Sequence, residues 1–273
     1  MPKIQVIATP IGHKDDFSPR ALHCLQEADI IAAEDTRKAL NLLKHFQISG
    51  KTLISYHDHN EKQRSHQLLG RIIDEDLTLA LISDAGTPCI SDPGYRLLRE
   101  AHLRDICVEP IPGACAMAAL ISVSGLPSDR FTFVGFFQNI ASDLTTWKGS
   151  VIFYESTKRL VKTLEALMFH HPHAEICIGR ELTKTHEDIL HASLKDALTW
   201  AKEHKNLKGE VCAMIYCPEQ QTPEEELKER LSFEAKLLFS RGATHKDLTI
   251  VMADRGLEKK ELYQFLLEVQ KQK

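Results

Sequence analysis

Short apolar runs alternate with stretches in which apolar residues recur every three or four positions along most of this chain. The runs at 4–9, 30–33, 52–56, 77–82 and 108–111 predict buried strands, and the segments 19–27, 37–46, 61–73 and 95–104 predict helices between them. Ser18-Pro19 supplies an N-cap with proline at the first helical position. Strand and helix alternating at this spacing predict a parallel or mostly parallel sheet with helices on its faces.

Pro112-Gly113 closes this first unit, and an Ala-, Met- and Ile-rich helix over 115–123 leads out of it until Gly125-Leu126-Pro127 breaks it. Strands are then expected at 131–135, 151–154, 175–179 and 211–217, with helices over 159–169 and 194–204. After Pro218 the chain turns Glu- and Lys-rich, with helices expected over 223–239, 246–253 and 258–270. The second of these opens on the capping pattern Thr244-x-x-Asp247. The expected architecture is α/β: an N-terminal α/β domain over 1–113, a second over 114–219 and a helical extension over 220–273.

At 273 residues, 43% hydrophobic and 26% charged, the chain can bury a core large enough to divide in two. A net charge of −4 gives no global pull on nucleic acid, so RNA affinity must come from a local basic patch. Seven cysteines without a C-x-x-C pair, among them Cys107, Cys177 and Cys212 within apolar runs, read as buried thiols of a reducing compartment. The opening MPKIQVIATPIG is strand-like and too short and polar for a signal peptide, so a cytoplasmic protein without a membrane span is expected. No G-x-G-x-x-G or P-loop occurs, which argues against a dinucleotide or nucleoside-triphosphate site of those kinds.

The stretch 83–94, SDAGTPCISDPG, is too elaborate for a connector. Gly86 and Gly94 admit unusual backbone angles, Pro88 and Pro93 stiffen the loop, and it follows a buried strand where open α/β sheets bind ligands. Three other turns leave strands in the same way: Thr9-Pro10-Ile11-Gly12, Glu34-Asp35-Thr36-Arg37 and Pro112-Gly113-Ala114-Cys115-Ala116. All four should cluster above one sheet edge. The histidines of His57-Asp58-His59 and of 170–173 lack a convincing set of further ligands, so no metal is expected.

SDAGTPCISDPG resembles, at all but one position, the signature of the ribosomal RNA small subunit methyltransferase I family, a branch of the tetrapyrrole methylase-like, class III S-adenosylmethionine-dependent enzymes. ATPIG (8–12), AAEDTRK (32–38), SYHDHNE (55–61), SGLPSDRF (124–131), FYES (153–156) and RELTKTHED (180–188) are similar to that family's other blocks. The resemblance implies two α/β domains with S-adenosylmethionine in the cleft between them. It further implies methylation of a cytidine 2′-hydroxyl in small-subunit ribosomal RNA within a 30S particle, and a homodimer.

On this reading the cofactor lies against Pro10, Gly12, Ser83, Asp84, Ala85, Gly86, Thr87, Ile90, Ser91, Asp92, Pro112, Gly113, Ala114, Cys115 and Ala116. Candidates for orienting or deprotonating the hydroxyl are Glu34, Asp35, Glu155 and Glu181, although Glu34 and Asp35 also suit helix caps and Arg180-Glu181 an ion pair. Arg37, Lys38, Arg159, Arg180 and Lys184 are candidates for RNA phosphates. The chain departs from the family pattern at Cys89, where glycine is usual, at Ala114-Cys115, at His13-Lys14 and in the 136–139 loop. The departures at Cys89, Ala114, Cys115 and the 136–139 loop keep open a weakened ribosome- or RNA-binding relative; a small-molecule, tetrapyrrole-like methyltransferase is a further alternative, disfavoured because SDAGTPCISDPG differs from the Gly-Asp-Pro pattern of those relatives.

Overall fold

The computed structural model describes residues 1–138, 144, 146–204, 207–218, 223–253, 257 and 259–271. It divides into two compact units, Met1–Pro218 and Glu219–Lys273.

The first sheet is built from β1 (Lys3–Ile7), β2 (Ile30–Ala33), β3 (Thr52–Ser55), β4 (Thr78–Ile82) and β5 (Cys107–Ile111), in the order β3-β2-β4-β1-β5. Every pairing in it is parallel. Helices α1 (Pro19–Glu27) and α2 (Thr36–His45) cover one face through Leu25 and Leu43, while α3 (Glu61–Asp74) and α4 (Tyr95–Leu103) cover the other through Leu69 and Leu97. Burial on both faces is what made these strands continuous apolar runs. Each fully buried Leu or Ile contributes about 1.5–3 kcal/mol. Ser18 caps α1 by accepting from the Ala21 amide, as its position before Pro19 dictates.

Helix α5 (Ala116–Ser124) leads to the second sheet, ordered β6-β7-β10-β8-β9 from β6 (Phe131–Phe136), β7 (Gly149–Ser156), β8 (Glu175–Arg180), β9 (Asp188–Ser193) and β10 (Glu210–Cys217). Here β6 and β7 are parallel, whereas β10 runs antiparallel to both β7 and β8, and β8 antiparallel to β9. Helices α6 (Thr157–His170) and α7 (Leu194–Glu203) pack on one face through Leu160, Leu164 and Ala197. Leu120 of α5, Leu126 and Leu182 cover the opposite face, where Ile11 from the first turn joins them. That contact holds the two sheets of this unit together across a shared apolar seam.

Strand β9 was not foreseen. It is a half-exposed edge strand whose residues alternate between partly buried and exposed. Cys177 and Cys212 are buried as expected, but Cys107 stands exposed on the edge strand β5. Of the 136–139 loop singled out in the sequence, position 139 lies outside the described residues.

The second unit consists of α8 (Pro223–Ser240), α9 (His245–Val251) and α10 (Lys259–Lys271). Its own core joins Leu231 and Ala235 to Leu248 and Met252 and to Leu262 and Leu266. Thr244 and Asp247 form the capping box that the sequence announced. Among the described residues, no helix is long and apolar enough to cross a membrane.

Candidate active site

Because every strand of the first sheet is parallel, the turns after β1, β2, β4 and β5 leave from one edge, and hydrogen bonds clasp them together. Thr9 and Gly86 form an isolated antiparallel bridge, with Thr9 N to Gly86 O at 2.8 Å and the reverse bond at 3.0 Å. The Thr87 hydroxyl donates to Ala114 O at 3.1 Å, and the Asp35 amide donates to Asp84 Oδ1 at 3.0 Å. All four turns are therefore one connected structure. The second sheet reaches in through Thr183, whose hydroxyl accepts the His13 amide at 3.0 Å. Gly12 lies beneath this segment so closely that a Cβ there would stand 2.5 Å from Lys184 Cγ. Glu181 and Thr183 hold φ of 51° and 64°, a strain of about 1–3 kcal/mol each that these contacts maintain.

Between the clasped turns and the second sheet lies a cavity of about 470 Å³. That volume falls within the roughly 300–1,000 Å³ of small-molecule sites. Its wall carries seven carboxyl side chains, those of Glu34, Asp58, Asp84, Asp92, Glu155, Glu181 and Glu210, against two lysines, Lys38 and Lys184. Lys38 pairs with Asp84 at 2.7 Å, and Lys184 bridges Glu181 at 3.0 Å and Glu210 at 3.2 Å. Glu155, 1% exposed, accepts from the Ser156 amide, Arg159 Nε and the Thr163 hydroxyl at 2.6–2.7 Å. Among the described residues, Glu34, Asp58 and Asp92 have no ion-pair partner. The cavity thus keeps a surplus of negative charge on its first-sheet side.

Burial raises the Glu34 carboxyl above its ordinary range, and the charges of Asp84 and Asp92 push it the same way. Asp92 is raised by burial too, with the Ser83 hydroxyl opposing and the charge of Asp84 adding to the rise. For Glu181, burial works against ionisation, but the Glu210 amide and Lys184 outweigh it and hold the carboxyl low. The Tyr154 phenol is driven well above its usual value, chiefly by burial.

Of the residues singled out for a cofactor, Asp84, Ala85, Gly86, Thr87, Ile90, Ser91 and Asp92 line the cavity, joined by Cys115 and Ala116 at the start of α5. Pro10, Gly12, Ser83, Pro112, Gly113 and Ala114 are not in the wall. They support it, Ser83 by donating to the Ala85 and Gly86 carbonyls and Gly113 by packing against Ala8. Glu34, Glu155 and Glu181 reach the cavity, whereas Asp35 caps α2 and binds Arg37, which hold its carboxyl far below the usual range. Lys38 and Lys184 line the wall; Arg37 and Arg159 remain outside it on Asp35 and Glu155, and Arg180 on the Lys208 carbonyl and Asp188. Sequence reasoning missed Phe136, Tyr154, Glu210 and Cys212 as wall residues, because they stand in strands or at strand ends that read as core. Among the described residues no three His, Cys, Asp or Glu side chains are grouped so that they could hold a metal ion.

The family model of the tetrapyrrole (corrin/porphyrin) methylases matches residues 3–198. Among curated relatives, the ribosomal RNA small subunit methyltransferase I of Halalkalibacterium halodurans is 40% identical over 95% of this chain and 93% of its own. The protein of the same name from Escherichia coli O157:H7 is 38% identical over 98% and 96%. The chain belongs to the ribosomal RNA small subunit methyltransferase I family. Another member of this family, from a Hydrogenobaculum species, matches with 95% of its length but only 78% of this chain, so it is too short to carry a counterpart of everything here. The family fold also appears in solved structures of low identity. A uroporphyrin-III C-methyltransferase from Thermus thermophilus complexed with S-adenyl homocysteine superposes with a TM-score of 0.55 at 14% identity, over 78% of this chain and 97% of that one. A cobalt precorrin-4 methyltransferase gives 0.60 at 13% identity, over 78% and 94%.

Proposed function

We propose that this chain transfers a methyl group from S-adenosylmethionine to the 2′-hydroxyl of a cytidine in small-subunit ribosomal RNA, presented in the cytoplasm by an assembled 30S particle. The observation that carries this reading is the acidic cavity under four interlocked turns, with three carboxyl groups lacking a cationic partner. S-Adenosylmethionine, when bound, supplies a methyl group on a cationic sulfonium beside a second cation, its ammonium. Glu34, Asp58 and Asp92 suit those charges, and the backbone of 84–87 and 115–116 suits the polar remainder. The chemistry of this wall therefore fits the cofactor.

Glu34 lines the cavity with no ion-pair partner among the described residues, and burial raises its carboxyl, so we assign it as the base or hydroxyl-orienting group. Such a base supplies about 10²- to 10⁴-fold. Positioning of donor and acceptor supplies the larger share, about 7–11 kcal/mol. Glu155 and Glu181 act as structural anchors of the second-sheet wall. Lys184, Arg37, Arg159 and Arg180 are the cations we assign to RNA phosphates, which would take them over from the acidic partners they hold in the free chain. Helix α5 is apolar yet leaves Val123 54% exposed, and we assign its outward face to a homodimer contact.

Recombinant chain with labelled cofactor should methylate small-subunit particles that lack this methyl group, and nuclease mapping should place the label on a cytidine ribose. Absence of label on such particles would defeat the reading.

Cofactor binding is also expected to release protons. Glu34 and Asp92 hold their protons more tightly in the folded protein than in the unfolded chain, so whatever stability this lends is present below pH ~4 and lost as pH rises through their raised values. A bound cation reverses that preference. Affinity should therefore rise with pH from about 4 upward. Calorimetry in two buffers of different ionisation heat should register the released protons, and Glu34→Gln with Asp92→Asn should remove them.

A further inference from the structure

We propose that Phe136, with Ile90 across the cavity mouth, forms the seat on which the base of the acceptor nucleotide stacks. The inference rests on the reading above that the acceptor is RNA. Strand β6 is irregular at this point: Phe133 lies opposite Ile152 of β7, but it is Phe136, not Gly135, that lies opposite Tyr154. One extra residue is accommodated there, with Gly135 at φ 68°. Such bulges re-aim a side chain at the cost of ladder hydrogen bonds. The result is that Phe133 and Phe136 both set their edges against the Tyr154 ring, at 5.0 and 5.8 Å between centroids. Phe133 is partly covered by the apolar seam, whereas Phe136 lines the cavity and remains 55% exposed.

A large aromatic ring held in solvent by a local backbone irregularity needs a partner to cover it. Ile90 lines the same cavity at 40% exposure, and Gly135 lies close enough to its neighbour Ser91 for a Cβ to stand 3.8 Å from Ser91 Oγ. The two exposed apolar side chains therefore line the same cavity as the unpaired carboxyl groups. The cationic donor belongs beside those carboxyl groups, and the acceptor enters from outside. Proteins that recognise RNA nucleotides specifically take them from loops and bulges whose unstacked bases pack on aromatic side chains, and an apolar cleft lined by an aromatic ring offers such a base that surface.

The test uses full-length protein, small-subunit particles lacking the methyl group, and S-adenosylmethionine. Phe136→Ala should raise KM for particles about 5- to 100-fold while calorimetric affinity for the cofactor stays within about twofold. Phe136→Trp should restore KM, and Ile90→Ala should raise it less. An unchanged KM, a failure of tryptophan to rescue, or an equal loss of cofactor affinity would each overturn the proposal, as would a change in sedimentation showing that Phe136 instead contacts a second copy. If wild-type protein labels no particles, the functional reading itself fails and this inference falls with it; if it does label them, the variants alone decide.

Discussion

Asp84→Ala is expected to weaken S-adenosylmethionine binding at least 100-fold and to reduce methyl transfer in proportion. Asp84 leaves the central strand β4 and holds the neighbouring β2 turn and the start of α2 in two ways. Its Oδ1 accepts the Asp35 amide at 3.0 Å, and its Oδ2 takes the Lys38 ammonium at 2.7 Å. A charge-assisted bond to the half-buried Asp35 amide is worth about 1.5–3 kcal/mol. The bond to Lys38 adds less, because that side chain is 63% exposed and regains water when released. A stability loss of about 2–3 kcal/mol, or roughly 4–10 °C in Tm, follows. The effect on binding is larger than this. Freed from Asp84, the Lys38 ammonium remains in the same cavity as Glu34, Asp58 and Asp92, where it occupies the negative field meant for the donor. Calorimetry separates the two contributions: Lys38→Met added to Asp84→Ala should recover part of the affinity if lysine intrusion is the cause, and none if Asp84 acts only by direct contact. Wild-type affinity in Asp84→Ala would mean that this cavity does not hold the cofactor.

The first sheet was legible because helices cover both of its faces. Four consecutive buried residues in β2 leave a continuous apolar signal that needs no knowledge of the partner strands. The second sheet was harder to read for a specific reason. Strand β9 exposes Ile189 on an open edge and partly covers Leu190 and Ala192, a weak alternation beside the stronger signal of α7. It is the hairpin from β8 to β9 that reverses the chain, so that β10 returns antiparallel between β7 and β8. Strand direction was therefore hidden with it.

The cavity wall divides along the same line. Its first-sheet half comes from turns whose Gly, Pro and Asp content marks them as shaped loops. Its second-sheet half comes from residues such as Tyr154 and Cys212, which sit in ordinary core strands and become wall residues only because Ile11 and the clasped turns stop short of covering them. A sequence records which residues avoid water, but not where two apolar faces fail to meet. Asp35 shows the converse: it stands beside Glu34 in the same turn, yet the N-cap of α2 turns its carboxylate onto Arg37 and away from the cavity.

Gly94→Ala should be the most destabilising single substitution in the 83–94 loop, and Cys89→Gly should partly repair it. Gly94 caps α4 with φ 144° and ψ −31°, a conformation that residues with a Cβ adopt only under strain of about 1–3 kcal/mol. The added Cβ would also stand 2.4 Å from Cys89 Sγ and 3.0 Å from Leu81 Cδ2. Overpacking of this kind costs a further ~1–3 kcal/mol. The sum is roughly 2–6 kcal/mol, enough to displace Asp92 and so to weaken cofactor binding.

Cys89 is the one position at which the loop departs from the family signature. Its φ of 69° is itself costly for any residue but glycine, by about 1–2 kcal/mol. Burial pushes its thiol up to about 11, so the sulfur is a neutral space-filler at physiological pH rather than a nucleophile. Cys89→Gly alone therefore trades relief of backbone strain against lost packing and a more flexible unfolded chain, and should be neutral to within ~1 kcal/mol. In the double variant the sulfur contact is gone while the φ penalty at position 94 persists. Urea unfolding should accordingly give a coupling of about 1–3 kcal/mol between the two positions, with cofactor affinity recovering alongside stability. Strictly additive losses would show that the sulfur contact contributes nothing and that backbone strain at Gly94 accounts for the whole effect.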